Sequence, residues 1–233
     1  IEVERFDILE WEDVLEEVKE QLQTYLNNGG VVLEAQRNDK IPVSVYAEST
    51  PNPSVMKFVA NKSLVPHSVE FKNIDEAKNA PLAQKLFHLP YVKEVFLDAN
   101  YVSITKFEIT EWEEVVMEVR EFIRAFIEEG NVIFTEAPVA LDVDKNDQSE
   151  LNLNATEQQI VSILDEYIKP AVASDGGNIV FDSYDAQEKE VHVILQGACS
   201  GCPSSTFTLK NGIETMLKEM MPGKVANVVA VNG

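Results

Sequence analysis

The chain of 233 residues carries two cysteines, Cys199 and Cys202. They stand in one short stretch, Gly197-Ala198-Cys199-Ser200-Gly201-Cys202-Pro203-Ser204. Two sulfurs at this spacing can share one metal centre or oxidise to a disulfide. An apolar run, Val191-His192-Val193-Ile194-Leu195, leads into the stretch, and a helical pattern from Thr206 to Ile213 leads out of it. Proline is favoured at the first helical position, so Pro203 predicts a helix start with Cys202 at or beside the N-cap. Unpaired N–H groups and the helix dipole favour negative charge there, which predicts stabilised thiolates.

Counting ligands narrows the chemistry. A zinc site wants about four ligands, and an iron–sulfur cluster usually takes about four thiolates. His67, His88 and His192 are scattered, and His192 lies in an alternating strand where it can face away from the loop. Three readings follow from the residues alone: a centre completed by a second copy of the chain, a redox dithiol, or two inert buried cysteines.

Charge and composition bound the partners. The formal net charge of −21 repels phosphate backbones, so a nucleic-acid partner is not expected. It suits solubility and can also steer the chain toward basic patches on other proteins. There is no run of about 18 apolar residues, so no membrane span is expected. Two cysteines in this length do not make a secreted disulfide scaffold. A reducing, cytoplasmic compartment is the expectation, with mitochondrial matrix or plastid as the alternative if a transit segment has been removed. Ile1 to Arg5 does not read as a signal peptide, and the N-terminus is read as a processed end or a fragment edge.

The elements that must position the cysteines follow from periodicity. Residues 155–233 read as one unit. Ile160, Ile163, Leu164, Tyr167 and Ile168 share a helical face, and Pro170 to Gly177 turns the chain. Ile179 to Tyr184 and Val191 to Gln196 form an antiparallel hairpin. Ser205 to Met221 is a helix with Phe207, Leu209, Ile213, Met216, Leu217 and Met220 on or near one side, and Val225 to Val231 is the last strand. Asp175-Gly176-Gly177-Asn178 is a turn that needs positive φ at glycine. Asn154 or Thr156 can cap the first helix.

Residues 42–136 form a second unit, with strands near 43–48, 55–59 and 68–71, a short helix at 80–89, a hairpin of 92–97 and 101–105, and a closing helix at 111–127. Residues 137–154 are an acidic linker, read as a mobile tether. Residues 1–36 repeat the closing half of the second unit, as a strand at 1–8, a helix at 10–26 and an apolar run at 31–33. Glu10-Trp11-Glu12-Asp13-Val14 matches Glu111-Trp112-Glu113-Glu114-Val115, and Gly29 matches Gly130 in the same register. Trp11 and Trp112 read as core residues. The fold class is α/β of the α+β type: small two-layer domains with helices on mainly antiparallel sheets.

Two sets of motifs carry a family resemblance. Ile168-Lys169-Pro170-Ala171-Val172-Ala173-Ser174-Asp175-Gly176-Gly177-Asn178 and the cysteine stretch, in this order, resemble the C-terminal domain of the NifU-like (Nfu) iron–sulfur cluster scaffolds. Glu48-Ser49-Thr50-Pro51-Asn52-Pro53 and Leu82-Ala83-Gln84-Lys85-Leu86-Phe87 resemble the Nfu N-terminal domain. The resemblance implies a cluster, [4Fe–4S] favoured over [2Fe–2S], held by Cys199 and Cys202 of each of two chains. It implies a homodimer when loaded, iron–sulfur donors and acceptors as partners, and an exposed loop whose ligands an acceptor's thiols displace. It implies ligand exchange and no enzyme activity. The rival classes are a thiol–disulfide oxidoreductase and a dimer-bridging zinc site.

Overall fold

A computed structural model of the chain describes residues 11–27, 42–135, 153–201 and 203–232. The fold is mixed α and β, as expected. Residues 1–41 and 42–233 are separate compact units. In the first, helix α1 spans Trp11–Asn27, in agreement with the helix read at 10–26. The strand at 1–8, the run at 31–33, most of the linker, and the side chain of Trp11 lie outside the described residues.

The second unit opens with a five-stranded antiparallel sheet. Its strands are β1 (Val45–Ser49), β2 (Val55–Ala60), β3 (Val69–Phe71), β4 (Val92–Asp98) and β5 (Tyr101–Lys106), in the spatial order β1-β2-β5-β4-β3. The β4–β5 hairpin closes through Ala99-Asn100, with Ala99 at φ 44°. Side chains alternate across a strand. One face therefore presents Phe58, Val95, Leu97, Val102 and Ile104, all buried in one core. Helices α2 (Pro81–Leu86) and α3 (Trp112–Glu128) supply the rest of that core. In α3 the buried residues Trp112, Val115, Val119, Ile123 and Phe126 recur at helical spacing, and Trp112 meets Phe58 edge-on with centroids 6.1 Å apart.

The remaining residues build a second layer pair. Helix α4 (Ala155–Ile163) starts at Asn154, whose side chain accepts from Thr156 N and Glu157 N while Glu157 reaches back to the Asn154 N–H. This reciprocal box settles the capping residue. The helix then widens: Lys169 N donates to Leu164 O across a five-residue turn at Leu164–Ile168. Pro170 explains this, because it has no N–H to give and its ring crowds the carbonyl four residues back. The wide turn corrects two expectations. Tyr167 turns outward and is exposed, and the chain does not turn at Pro170 but continues as α5 (Lys169–Ser174).

Strands β6 (Gly177–Asp185) and β7 (Glu190–Gly197) are antiparallel. Helix α6 (Pro203–Met220) crosses back so that β8 (Asn227–Asn232) lies parallel to β7. The core of this sheet holds Ile160, Ile163, Leu164, Ile179, Val191, Val193, Leu195, Ile213 and Leu217. Phe207 is 68% exposed and Met220 is exposed as well, so the apolar side of α6 is narrower than its sequence implied.

Candidate functional site

The site is built where β7 ends. Strand β7 alternates buried and half-buried residues along its whole length and delivers Gly197 on the buried side. Gly197 (φ 61°) and Gly201 (φ 76°) both take the left-handed backbone that glycine tolerates best, so the loop between them can reverse within three residues. Inside the loop, Ser200 N donates to Gly197 O at 3.0 Å and Ala198 N donates to Gly176 O at 3.1 Å. The second bond ties the cysteine loop to the Asp175-Gly176-Gly177-Asn178 turn, where Gly176 has φ 84°. The turn read from the sequence is therefore the partner of the cysteine loop.

Cys199 lies at the bottom of this arrangement. It is a free thiol, 6% exposed, and belongs to the core of the three-stranded sheet. Gly177 makes room for it, since a Cβ on Gly177 would stand 2.8 Å from the Cys199 sulfur. Burial pushes the Cys199 thiol up to about 12, with the negative charge of Asp175 adding to the effect. This corrects two expectations for Cys199. Its thiolate is disfavoured in the single chain, because burial takes away its water and Asp175 adds repulsion, and its position in the loop is covered. Cys202 lies outside the described residues, and α6 begins at the next residue, Pro203.

The histidines stay apart from the loop. His67 and His88 are exposed, and His192 Nε2 lies 3.1 Å from Glu190 Oε1 within β7. Among the described residues no three histidine, cysteine, aspartate or glutamate side chains converge as a metal set. No described helix is long and apolar enough to cross a membrane.

What sequence reasoning missed is the outer face of the five-stranded sheet. Asn52, from the turn before β2, donates from its amide nitrogen to Ala198 O and Ser200 O, each at 3.3 Å, so it grips the carbonyls on either side of Cys199. Its Oδ1 accepts from Ser54 N at 3.1 Å, which orients both amide protons toward the loop. Lys57 Nζ donates to Ser174 O at 3.1 Å, and Ser103 Oγ donates to Gly176 O at 2.7 Å. Glu70 Oε1 accepts from Gly197 N at 2.7 Å. The Tyr101 hydroxyl lies 3.1 Å from Gly177 O and 3.0 Å from Asp98 Oδ2, and its one proton serves one acceptor at a time. Burial, and then the Asp98 charge, hold that hydroxyl well above the usual phenol range. The available signal was a lone Lys57 in the apolar strand β2 and the alternation of Tyr101, Ser103 and Thr105 in β5, which a solvent-facing sheet explains equally well.

Comparison with known proteins bears on both sheets. The family description "Scaffold protein Nfu/NifU N terminal" matches residues 45–130, and "NifU-like domain" matches residues 160–229. A NifU-like protein of Schizosaccharomyces pombe is 33% identical over 80% of this chain and 72% of its own length. The mitochondrial NifU-like protein 4 of Arabidopsis thaliana is 35% identical over 74% of this chain and 61% of its own. A mitochondrial NFU1 iron-sulfur cluster scaffold homolog of Drosophila erecta is 37% identical over 76% of this chain and 62% of its own. The chain thus spans under two thirds of the plant and fly relatives. With the five-stranded sheet and the cysteine-bearing sheet each matched, and the fission yeast relative aligned over most of its length, the chain belongs to the Nfu/NifU-like scaffold family.

Proposed function

We propose that the chain is an iron–sulfur cluster scaffold and carrier. Cys199 and Cys202 of two chains would hold one cluster, [4Fe–4S] in preference to [2Fe–2S], and pass it to acceptor proteins. One observation carries the reading: a cysteine loop bracketed by Gly197 and Gly201 at a strand-to-helix junction, in a chain with two cysteines in all. Two thiolates per chain supply half of the roughly four that such a cluster takes, so a homodimer completes the set. The names of the relatives support the same chemistry.

The work falls on the chain's own residues. Cys199 must lose its proton before it binds iron, and its buried, protonated form makes uptake dependent on pH. Release proceeds by exchange, as an acceptor's thiols displace Cys199 and Cys202 in turn, with no catalytic acid or base. Residues 42–136 serve as a docking module for donors and acceptors, joined through the 137–154 linker to the cluster-binding residues 155–233, and residues 1–36 are a partial copy of that module. The acidic surface favours partners with basic patches. The mitochondrial relatives in Arabidopsis and Drosophila favour a mitochondrial setting over a cytoplasmic one.

Anaerobic reconstitution with iron and sulfide tests the reading. The parent should turn brown with about one cluster per dimer, and the Cys199→Ser, Cys202→Ser double variant should stay colourless. A colourless parent that reduces insulin would establish the thiol–disulfide oxidoreductase instead, and stoichiometric zinc without redox activity would establish a structural metal site.

A further inference from the structure

Besides those of Asn52 and Tyr101, the contacts to the glycine turn and to the start of the cysteine loop come from one line of residues that runs straight across the five-stranded sheet. Strand pairing sets Glu48 opposite Lys57, Lys57 opposite Ser103, Ser103 opposite Phe96, and Phe96 opposite Glu70. These five residues come one from each strand, on the face turned away from α2 and α3. Four of them touch the cysteine-bearing half. Lys57, held by Glu48 at 3.2 Å, bonds Ser174 O; Ser103 bonds Gly176 O; Glu70 accepts from Gly197 N. Phe96 packs on Gly197, where an added Cβ would stand 2.8 Å from the Phe96 ring. An added Cβ on Gly176 would likewise stand 2.9 Å from Ser103 Oγ.

The fit has three independent marks. The two glycines leave room for the sheet to approach. Asn52, Lys57 and Ser103 are buried polar residues that donate to the other half's backbone, so the contact that takes them from water also supplies their acceptors. Val59, Phe96 and Tyr101 form a small apolar cluster of their own beneath the contact. A sheet face that served only solvent would not combine these features.

We propose that this face is a built-in cover for the cysteine loop, and that the chain exchanges between the closed form described here and an open form. In the closed form Asn52 grips both carbonyls beside Cys199, and the Cys199 thiol is buried. In the open form the row from Glu48 to Glu70 is bare and Cys199 is presented to a second copy of this chain. The cover's purpose rests on the scaffold reading above, but its existence is tested without iron.

The test uses the full chain in a Cys202→Ser background, where Cys199 is the one thiol. Ser103→Asp sets a carboxylate against Gly176 O, while the same position would simply face water once the halves part. Alkylation of Cys199 by iodoacetamide, followed by intact mass, should quicken at least ~10-fold, and the radius of gyration from solution scattering should rise. If circular dichroism shows that Ser103→Asp has not folded, Asn52→Ala with Ser103→Ala, which removes three cross-sheet hydrogen bonds, decides by the same two readouts. Equal alkylation rates and equal radii in a folded variant overturn the cover. The two proposals fail separately. A parent with both cysteines that takes up no iron, beside an intact alkylation contrast, sinks the scaffold reading alone. Iron uptake with no alkylation contrast sinks the cover alone.

Discussion

Substituting Gly177 by alanine tests whether the cysteine loop is as tightly seated as its geometry requires. The new Cβ would stand 2.7 Å from Gln196 O, 2.8 Å from the Cys199 sulfur and 3.1 Å from Cys199 N. Ordinary contact between heavy atoms begins near ~3.5 Å, so atoms on two sides must give by about half an ångström or more. Two of the three neighbours are backbone atoms and cannot swing aside. Overpacking of this kind costs about 1–3 kcal/mol, and the rigid neighbours place this site in the upper part of that range. Restricting the unfolded chain returns about 0.4–1 kcal/mol. The net loss is then about 1.5–2 kcal/mol, or roughly 3–8 °C in Tm for a chain of this size. Gly212→Ala is the matched control: it lies within α6 with nothing inside 4 Å of an added Cβ. There the same chemical change should stabilise by about 0.5–1 kcal/mol. Calorimetry on the two variants should show shifts of opposite sign. A Gly177→Ala protein as stable as the parent, or shifted in the same direction as Gly212→Ala, would refute the seating of Cys199 against Gly177.

Two further outcomes follow from named groups. Burial holds the Glu70 carboxyl above its ordinary 4.5, with the Gly197 N–H pulling the other way. The folded chain then binds this proton more tightly than the unfolded chain, so the Glu70 contribution to stability falls as pH rises from about 4.5 through the raised value. Glu70→Gln keeps an acceptor for Gly197 N–H and removes the charge; its stability relative to the parent, measured by urea titration, should grow across that window, and a constant difference would contradict the assignment. Asn154→Ala removes the acceptor that starts α4 and should cost about 1 kcal/mol in the same titration, with no change in the alkylation rate of Cys199.

Most of the architecture was legible in the residue pattern because each element carries its own local signal. Helix α3 repeats its apolar residues at helical spacing, β7 alternates, Pro81 sits in the first turn of α2, and Pro203 opens α6. The errors fall where a local signal has two solutions. Pro170 reads as a helix stop, but a single wide turn accommodates it and swings Tyr167 into solvent. Phe207 is apolar and near the face of Ile213 and Leu217, but six residues from Ile213 is about a third of a turn off that face, and it is exposed.

The candidate site divides along the same line. Residue types and spacing alone identified Cys199 and Cys202, the shortage of further ligands, and the glycine turn at 175–178, because cysteine count, proline position and glycine conformation are properties of the chain itself. Folding decided the environment of the thiol. Glu48, Lys57, Ser103, Phe96 and Glu70 are far apart in the chain and carry no common motif; only strand pairing brings them into one row. That row, with Asn52, meets the cysteine loop and its partner turn from 73 to 148 residues away in sequence. Whether a thiol is ionised depends on the water around it, and access to water is set by what the folded chain lays over the sulfur.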